Sequence, residues 1–264
     1  MRSLSLLFIC GQFAVAHCLG SVAVILHGES FRQKSHQGSR ATGPLGFYSQ
    51  KAATRSHIEH LLLPLVFDMG YSSVALYMDT YATNLSASLI SWYGPYYDRN
   101  RTVWGSTDVA DHIRAVTTSP ENFEALFVTR FDVILKASFS CALRNADRNK
   151  ILFSFRCWTR GDTLGKDWAR ADRIADMMTW VPRKHFDFEC IPCLVNNHDA
   201  RGYIRKHKRK RWELANVGYI LPGDQHDSDP EKDWNPLYKL AARPEGADVA
   251  SITLQRPNCT PSRG

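Results

Sequence analysis

Short apolar runs alternate with a helical pattern along this chain, and this alternation constrains the fold more than any other feature. The runs have the length of strands. They lie at 22–26, at 74–78, at 126–135 (apolar at 126–128 and 133–135), at 151–155 and at 177–181. Strands that alternate with helical segments are typical of a mostly parallel sheet covered by helices. The chain has 264 residues, 44% of them hydrophobic, which is enough for one large core. We therefore predict an α/β fold, with a single mostly parallel sheet flanked by helices.

The segment between the first two runs contains the clearest helix. Apolar residues form one buried stripe from about 49 to 67, at Ile58, Leu61, Leu62, Leu65 and Val66. Pro64 is expected to kink or shorten this helix. The stretch 27–46 is polar and glycine-rich, which favours a ligand-binding loop.

The N-terminus has the composition of a targeting segment. Met1-Arg2 is followed by a short apolar stretch and then by Ala14-Val15-Ala16, which predicts a signal peptide over residues 1–16. The alternative is an uncleaved anchor that reaches about residue 20. The expected organisation is this leader, an α/β domain over 21–223 and an irregular segment over 224–264, rich in Asp, Pro and Arg.

Three glycosylation sequons and the cysteines are consistent with a lumenal or secreted protein. The sequons are at Asn84, Asn100 and Asn258, and five cysteines remain after residue 18. In an oxidising compartment these would give one or two disulfides and an odd thiol.

The formal charge of +7 is unevenly distributed, because much of it lies between Arg201 and Arg211. Behind a signal peptide, this run favours contact with a polyanion, such as an anionic glycan, or with a membrane surface; no nucleic acid partner is expected. A solvated loop or helix face is the other interpretation.

Polar residues that follow the apolar runs are the candidates for a site, because open parallel sheets bind ligands at the carboxyl ends of their strands. Gly28 would allow a ligand to approach the backbone closely, and Arg32 could reach a phosphate. The full set is His27, Gly28, Glu29 and Arg32 after the first run, Asp79 after the second, and Arg130 with Asp132.

The segment 123–133 is the most informative. Arg130 and Asp132 stand two residues apart in an apolar run, so on a continuous strand both would project from one face. This arrangement resembles the hydrophobic strand and Arg-x-Asp stretch of several glycosyltransferases with the nucleotide-diphospho-sugar transferase fold, called GT-A. In that family the stretch occupies the place of an Asp-x-Asp motif, whose carboxylate reaches a divalent cation on the donor diphosphate.

The resemblance implies a donor site and a reaction. Gly28, Arg32, Asp79, Arg130 and Asp132 would bind a nucleotide-sugar donor, with Mn²⁺ or Mg²⁺ held by Asp132. Arg130 replaces the first acidic residue of the motif, and a guanidinium can itself neutralise phosphate. The carboxylate expected to act as base or to orient the acceptor is Asp176, with Asp199 second. The resemblance implies a glycan or glycoprotein acceptor, and the leader and sequons predict that the enzyme lies in the Golgi or ER lumen or is secreted.

Two other functions stay open. One is a secreted, non-catalytic carbohydrate- or polyanion-binding protein that uses the run from Arg201 to Arg211 and exposed aromatics at Trp92, Tyr93, Tyr96 and Tyr97. The other is a degenerate transferase that keeps the fold without the activity. The sequence has no P-loop, no Gly-x-Ser-x-Gly elbow and no His-Glu-x-x-His motif, which disfavours a P-loop nucleotidase, an α/β serine hydrolase and a zincin protease.

Overall fold

The computed structural model describes residues 19–31, 44–105, 109–154, 156–157, 178–187, 191, 208, 211–220, 224–225 and 238–240. Its strands are β1 Val22–His27, β2 Val74–Thr80, β3 Thr102–Trp104, β4 Ala125–Arg130, β5 Val133–Leu135, β6 Ile151–Phe153, β7 Arg156–Cys157, β8 Met178–Pro182, β9 Val217–Tyr219, β10 Asp224–Gln225 and β11 Tyr238–Leu240. Its helices are α1 Pro44–His57, α2 Leu63–Phe67, α3 Ser86–Tyr93, α4 Ala110–Thr117 and α5 Phe139–Leu143. Within these ranges, no helix combines the length and the apolar character that a bilayer span requires.

One seven-stranded sheet organises the fold, in the order β3-β2-β1-β4-β8-β6-β9. The neighbours from β3 to β4 are parallel, β8 runs antiparallel to both β4 and β6, and β9 is parallel to β6. The predicted α/β class with a mostly parallel sheet is confirmed. Two small sheets accompany it, β10 with β7 and β11 with β5.

Helices cover both faces of the sheet because the central strands are apolar on both sides. Val22, Val24 and Leu26 point to one face, where they pack with side chains from α2, α3 and α5. Ala23 and Ile25 point to the other face, where α4 packs. All six residues of β1 are buried, so β1 lies at the centre of the fold.

The helix predicted over 49–67 begins earlier, at Pro44, and is not uniform. A π-helical turn, Ile58–Leu62, separates α1 from α2, and Pro64 is the second residue of α2. Proline has no N–H to donate to the fourth residue before it, and its ring crowds that carbonyl, so a wider turn relieves both problems. Proline is favoured in a first helical turn, and Pro44 accordingly ends the polar stretch predicted to reach residue 46.

Two predicted segments differ in the structure. The apolar run 126–135 forms two strands, because the chain turns at Phe131 and Asp132 and β5 then joins a different sheet. The segment after Gly223, predicted to be irregular, contributes β10 and β11. Both strands pair with partners far away in the sequence, which a local pattern does not reveal.

Candidate functional site

Three polar side chains lie side by side where the central strands end. His27 is the register partner of Asp79 on β2 and of Arg130 on β4. Register partners project to the same face, and neighbouring strands lie about 4.8 Å apart. His27 and Asp79 are buried, and the Arg130 side chain is 19% exposed. The carboxyl edge of the sheet therefore carries an acid, an imidazole and a guanidinium in one row.

The backbone after β1 opens a space beside this row. Gly28 donates its N–H to the Asp79 carbonyl at 3.1 Å and has a φ of +94°, a conformation that other residues rarely adopt. Apart from Gly28 itself and its two chain neighbours, no described atom lies within 4 Å of the position that a Cβ would occupy. A ligand can thus approach the main chain closely here.

The same loop is fastened to β2 by hydroxyl groups. The Ser30 N–H donates to Thr80 Oγ1 at 3.0 Å, and the Thr80 hydroxyl donates to Ser30 Oγ at 3.1 Å. Both residues are buried. These bonds hold the Gly28 turn in place over the end of β2.

Gln50 of α1 connects the two loops of this edge. Its Oε1 accepts from the Phe31 N–H at 3.1 Å, and its Nε2 donates to the Phe131 carbonyl at 3.2 Å. Phe31 is buried with a φ of +58°, which is unfavourable for a bulky residue. Gln50 stabilises that conformation and sets the distance between the loop after β1 and the turn after β4.

Arg130 and Asp132 form a two-bond ion pair at the end of β4. Arg130 Nε donates to Asp132 Oδ1 at 2.8 Å, and one terminal nitrogen donates to Oδ2 at 2.5 Å. The strand ends at Arg130 and Asp132 lies in the turn, so the two are not neighbours on one strand face as predicted. The turn brings the carboxylate back onto the guanidinium.

This geometry does not suit a divalent cation on Asp132. Both carboxylate oxygens already accept from Arg130, and a cation bound there would lie close to the guanidinium. Two like unit charges about 4 Å apart repel by about 4 kcal/mol near a protein surface, and a divalent ion doubles that value. In the described part of the chain, no three His, Cys, Asp or Glu residues come together as a metal-ligating group.

A buried histidine lies beneath the turn. His57 Nδ1 is 2.8 Å from the Tyr93 hydroxyl, and both side chains are fully buried. Burial lowers the pKa of His57 to about 4, against smaller opposing effects of a hydrogen bond to the Val133 backbone and of the Asp132 charge. Burial likewise raises the pKa of Tyr93 above its usual value. Both groups are therefore neutral at pH 7.

The structure brings together four of the predicted site residues, namely Gly28, Asp79, Arg130 and Asp132. Asp79 lies inside β2, one residue before its end, where the prediction placed it after the strand. Arg32, Asp176 and Asp199 lie outside the described residues, so their roles stay predictions.

Three positioning residues were missed by sequence reasoning: Ser30, Thr80 and Gln50. Ser30 and Thr80 directly adjoin predicted site residues, so including the neighbours of each strand end would have found them. Gln50 gives no such signal, because its two partners lie 19 and 81 residues away in the chain.

The aromatic run proposed as an exposed binding surface lies in the core or packs against it. Tyr93 is fully buried, and Trp92 packs against Phe31 and Phe47, with ring centroids 5.8 and 4.9 Å apart. Tyr96 and Tyr97 are partly buried against the same cluster. These side chains support the fold beneath the site.

Comparison with solved structures finds similarity to several transferases. A candidate nucleotide-diphospho-sugar transferase from Desulfovibrio desulfuricans G20 is similar over 80% of this chain and 82% of its own, with 10% identity and a TM-score of 0.44. A glycosyltransferase involved in glycosylation of the PBCV-1 major capsid is similar over 88% and 95%, with 9% identity and a TM-score of 0.39. The galactosyltransferase LgtC, solved with donor and acceptor sugar analogues, is similar over 75% and 72%, with 9% identity and a TM-score of 0.35. No protein-family model matches the sequence, and no curated protein matches it at the sequence level.

Proposed function

We propose that this protein is a glycosyltransferase that moves a sugar from a nucleotide-sugar donor to an acceptor hydroxyl. The observation that carries the proposal is the convergence of Gly28, Asp79 and Arg130 at the carboxyl edge of adjacent strands. Parallel sheets bind ligands at this edge. An open backbone turn, a buried carboxylate and a guanidinium suit the nucleotide, hydroxyl and diphosphate groups of such a donor.

The reaction needs a group that stabilises the negative charge of the departing diphosphate and a base that acts on the acceptor hydroxyl. The acceptor oxygen forms a bond to the anomeric carbon, the bond from that carbon to the diphosphate oxygen breaks, and the nucleoside diphosphate leaves with the electron pair. A positive group near the diphosphate stabilises that charge, and Arg130 is placed for it. A base must take the acceptor proton, and Asp176 is our sequence-based candidate. The Mn²⁺ or Mg²⁺ expected at Asp132 is not part of this proposal, because both oxygens of that carboxylate accept from Arg130.

We also propose that the protein works in the Golgi or ER lumen or is secreted. Asn84 and Asn100 are both exposed, so neither sequon is blocked by burial. Cys141 is disulfide-bonded, and disulfides persist in oxidising compartments. The leader at residues 1–16 and the sequon at Asn258 lie outside the described residues.

Nucleotide-sugar binding is the direct test. The chain is produced in a secretory host and titrated by calorimetry with UDP-glucose, UDP-galactose, UDP-N-acetylglucosamine, GDP-mannose and GDP-fucose, with and without Mn²⁺. We expect at least one donor to bind, and we expect Asp79→Asn to weaken it at least tenfold. Asp111→Asn is the matched control, because Asp111 is an exposed carboxylate on α4.

Two further measurements on the same protein, sugar transfer to an acceptor and retention on a heparin-like polymer, separate the other functions. Binding of a donor without any sugar transfer would indicate a degenerate transferase. A well-folded protein that binds no donor but is retained on a heparin-like polymer would favour the polyanion-binding protein. Of the basic run, the structure describes only Lys208 and Arg211.

A further inference from the structure

We propose that the guanidinium of Arg130, oriented by Asp132, is the ligand of the donor diphosphate and replaces the divalent cation at this edge of the sheet. This inference rests on the proposed transferase function. Arg130 would bind the departing diphosphate, and Asp132 would be a positioning residue instead of a metal ligand.

The Asp132 carboxylate is already occupied by Arg130. Asp132 uses both oxygens to accept from Arg130, at 2.8 and 2.5 Å. A divalent cation would have to displace the guanidinium from at least one oxygen. It would then share a small site with a positive group that, unlike a lysine ammonium, does not lose its proton.

The Arg130–Asp132 pair lies beside the open turn at Gly28. Arg130 is the last residue of β4 and the register partner of His27, and the next residue along the chain from His27 is Gly28 with its open turn. The Phe131 N–H donates to the His27 carbonyl at 3.0 Å, so the turn that carries Asp132 is fixed to β1. The pair thus lies at the edge where a ligand reaches the backbone, and its side chains are 19% and 12% exposed.

The chemistry of the Arg130 side chain suits a diphosphate. A guanidinium carries five N–H donors in one plane, in an arrangement that matches the oxygens of a phosphate. Two of those of Arg130 donate to Asp132, and the phosphate would accept from the other three. The two bonds to Asp132 set the plane of the guanidinium before the ligand arrives, so less rotational freedom is lost on binding. Gln50 adds to this order, because it holds the Phe131 carbonyl between the two members of the pair.

The test compares diphosphate binding with and without metal in the wild-type protein. UDP and GDP are the probes, titrated by calorimetry into the chain treated with EDTA and, separately, into the chain with Mn²⁺ or Mg²⁺. We expect the better probe to bind with the same affinity, within about threefold, under all conditions. Binding at least tenfold tighter with a divalent ion would overturn the inference while supporting the transferase function. Binding of neither probe under any condition, together with no nucleotide-sugar binding, would overturn both.

Variants separate the two members of the pair. Arg130→Gln should weaken the probe at least tenfold without metal, and Arg130→Lys should weaken it less, because the charge stays but the planar set of donors is lost. Asp132→Asn, which keeps the shape, should weaken binding less than Arg130→Gln, and added Mn²⁺ should not change its affinity.

Arg183→Gln is the matched control. Arg183 is exposed and its backbone N–H donates to the Glu124 carbonyl, beside the opposite end of β4. Thermal melts confirm the folding of every variant. Equal affinity in wild type and folded Arg130→Lys and Arg130→Gln would contradict the inference, and so would a Mn²⁺ effect in wild type that Asp132→Asn abolishes.

Discussion

Acidification should destabilise this protein through His57. The imidazole is fully buried beneath the Arg130–Asp132 turn, and desolvation lowers its pKa to about 4, from the usual value of 6.5. Between these two values the unfolded chain binds a proton that the folded chain excludes. The free energy of unfolding therefore falls as the pH is lowered from 6.5 towards 4, and His57 contributes no pH dependence above that window.

The size of the effect follows from the shift. One pKa unit corresponds to about 1.4 kcal/mol, so lowering the pH from 7 to 5 should cost about 2 kcal/mol through His57 alone. The nearby Asp132 carboxylate and the hydrogen bond to Val133 oppose the shift. Their effects are already contained in the lowered pKa.

Urea unfolding at pH 7 and pH 5, on wild type and His57→Gln, measures this contribution. Glutamine does not titrate but can still bond to the Tyr93 hydroxyl. The other histidines with lowered pKa values, His60, His112 and His185, are present in both proteins and cancel in the comparison. We expect wild type to lose about 2 kcal/mol more than the variant between the two pH values. If wild type and His57→Gln lose the same free energy of unfolding between the two pH values, within about 0.5 kcal/mol and with equal denaturant slopes, His57 is not the cause of the acid destabilisation.

Two further predictions concern stability and compartment. Gln50→Ala should lower the free energy of unfolding by about 2–4 kcal/mol, because the Phe31 N–H and the Phe131 carbonyl lose this partner. Urea unfolding at pH 7 measures the change. The control is Arg55→Ala, which removes an exposed helix ion pair and should change the free energy of unfolding by less than about 0.5 kcal/mol. A loss below about 0.5 kcal/mol in Gln50→Ala would show that the two loops do not depend on this bridge. Expression in a secretory host should remove the first ~16 residues and add N-glycan at one or more of Asn84, Asn100 and Asn258. Mass spectrometry detects both changes, and Asn→Gln should abolish the glycan at each site. An intact N-terminus without glycan would contradict the proposed lumenal or secreted location.

Part of the candidate site follows from residue order. The length of an apolar run indicates the residue at which the strand ends, and parallel strands have their carboxyl ends at a common edge of the sheet. Gly28, Asp79 and Arg130 could therefore be grouped from the sequence alone. The contacts of polar side chains on helices cannot be predicted in this way. The spacing of apolar residues indicates which face of a helix is buried, but not what a polar residue on that face contacts. Gln50 illustrates this limit.

Local sequence specifies the class of fold and the edge of the sheet that carries the polar residues, because apolar periodicity and strand length are local properties. The partners of these residues depend on tertiary contacts. Because the chain turns at Phe131 and Asp132, Arg130 and Asp132 form an ion pair instead of lying side by side on one strand. Strands β10 and β11 form by pairing with strands that are distant in the sequence. Such contacts depend on the chain being brought together in space, since a hydrogen bond or ion pair requires a distance and an angle that residue order does not specify.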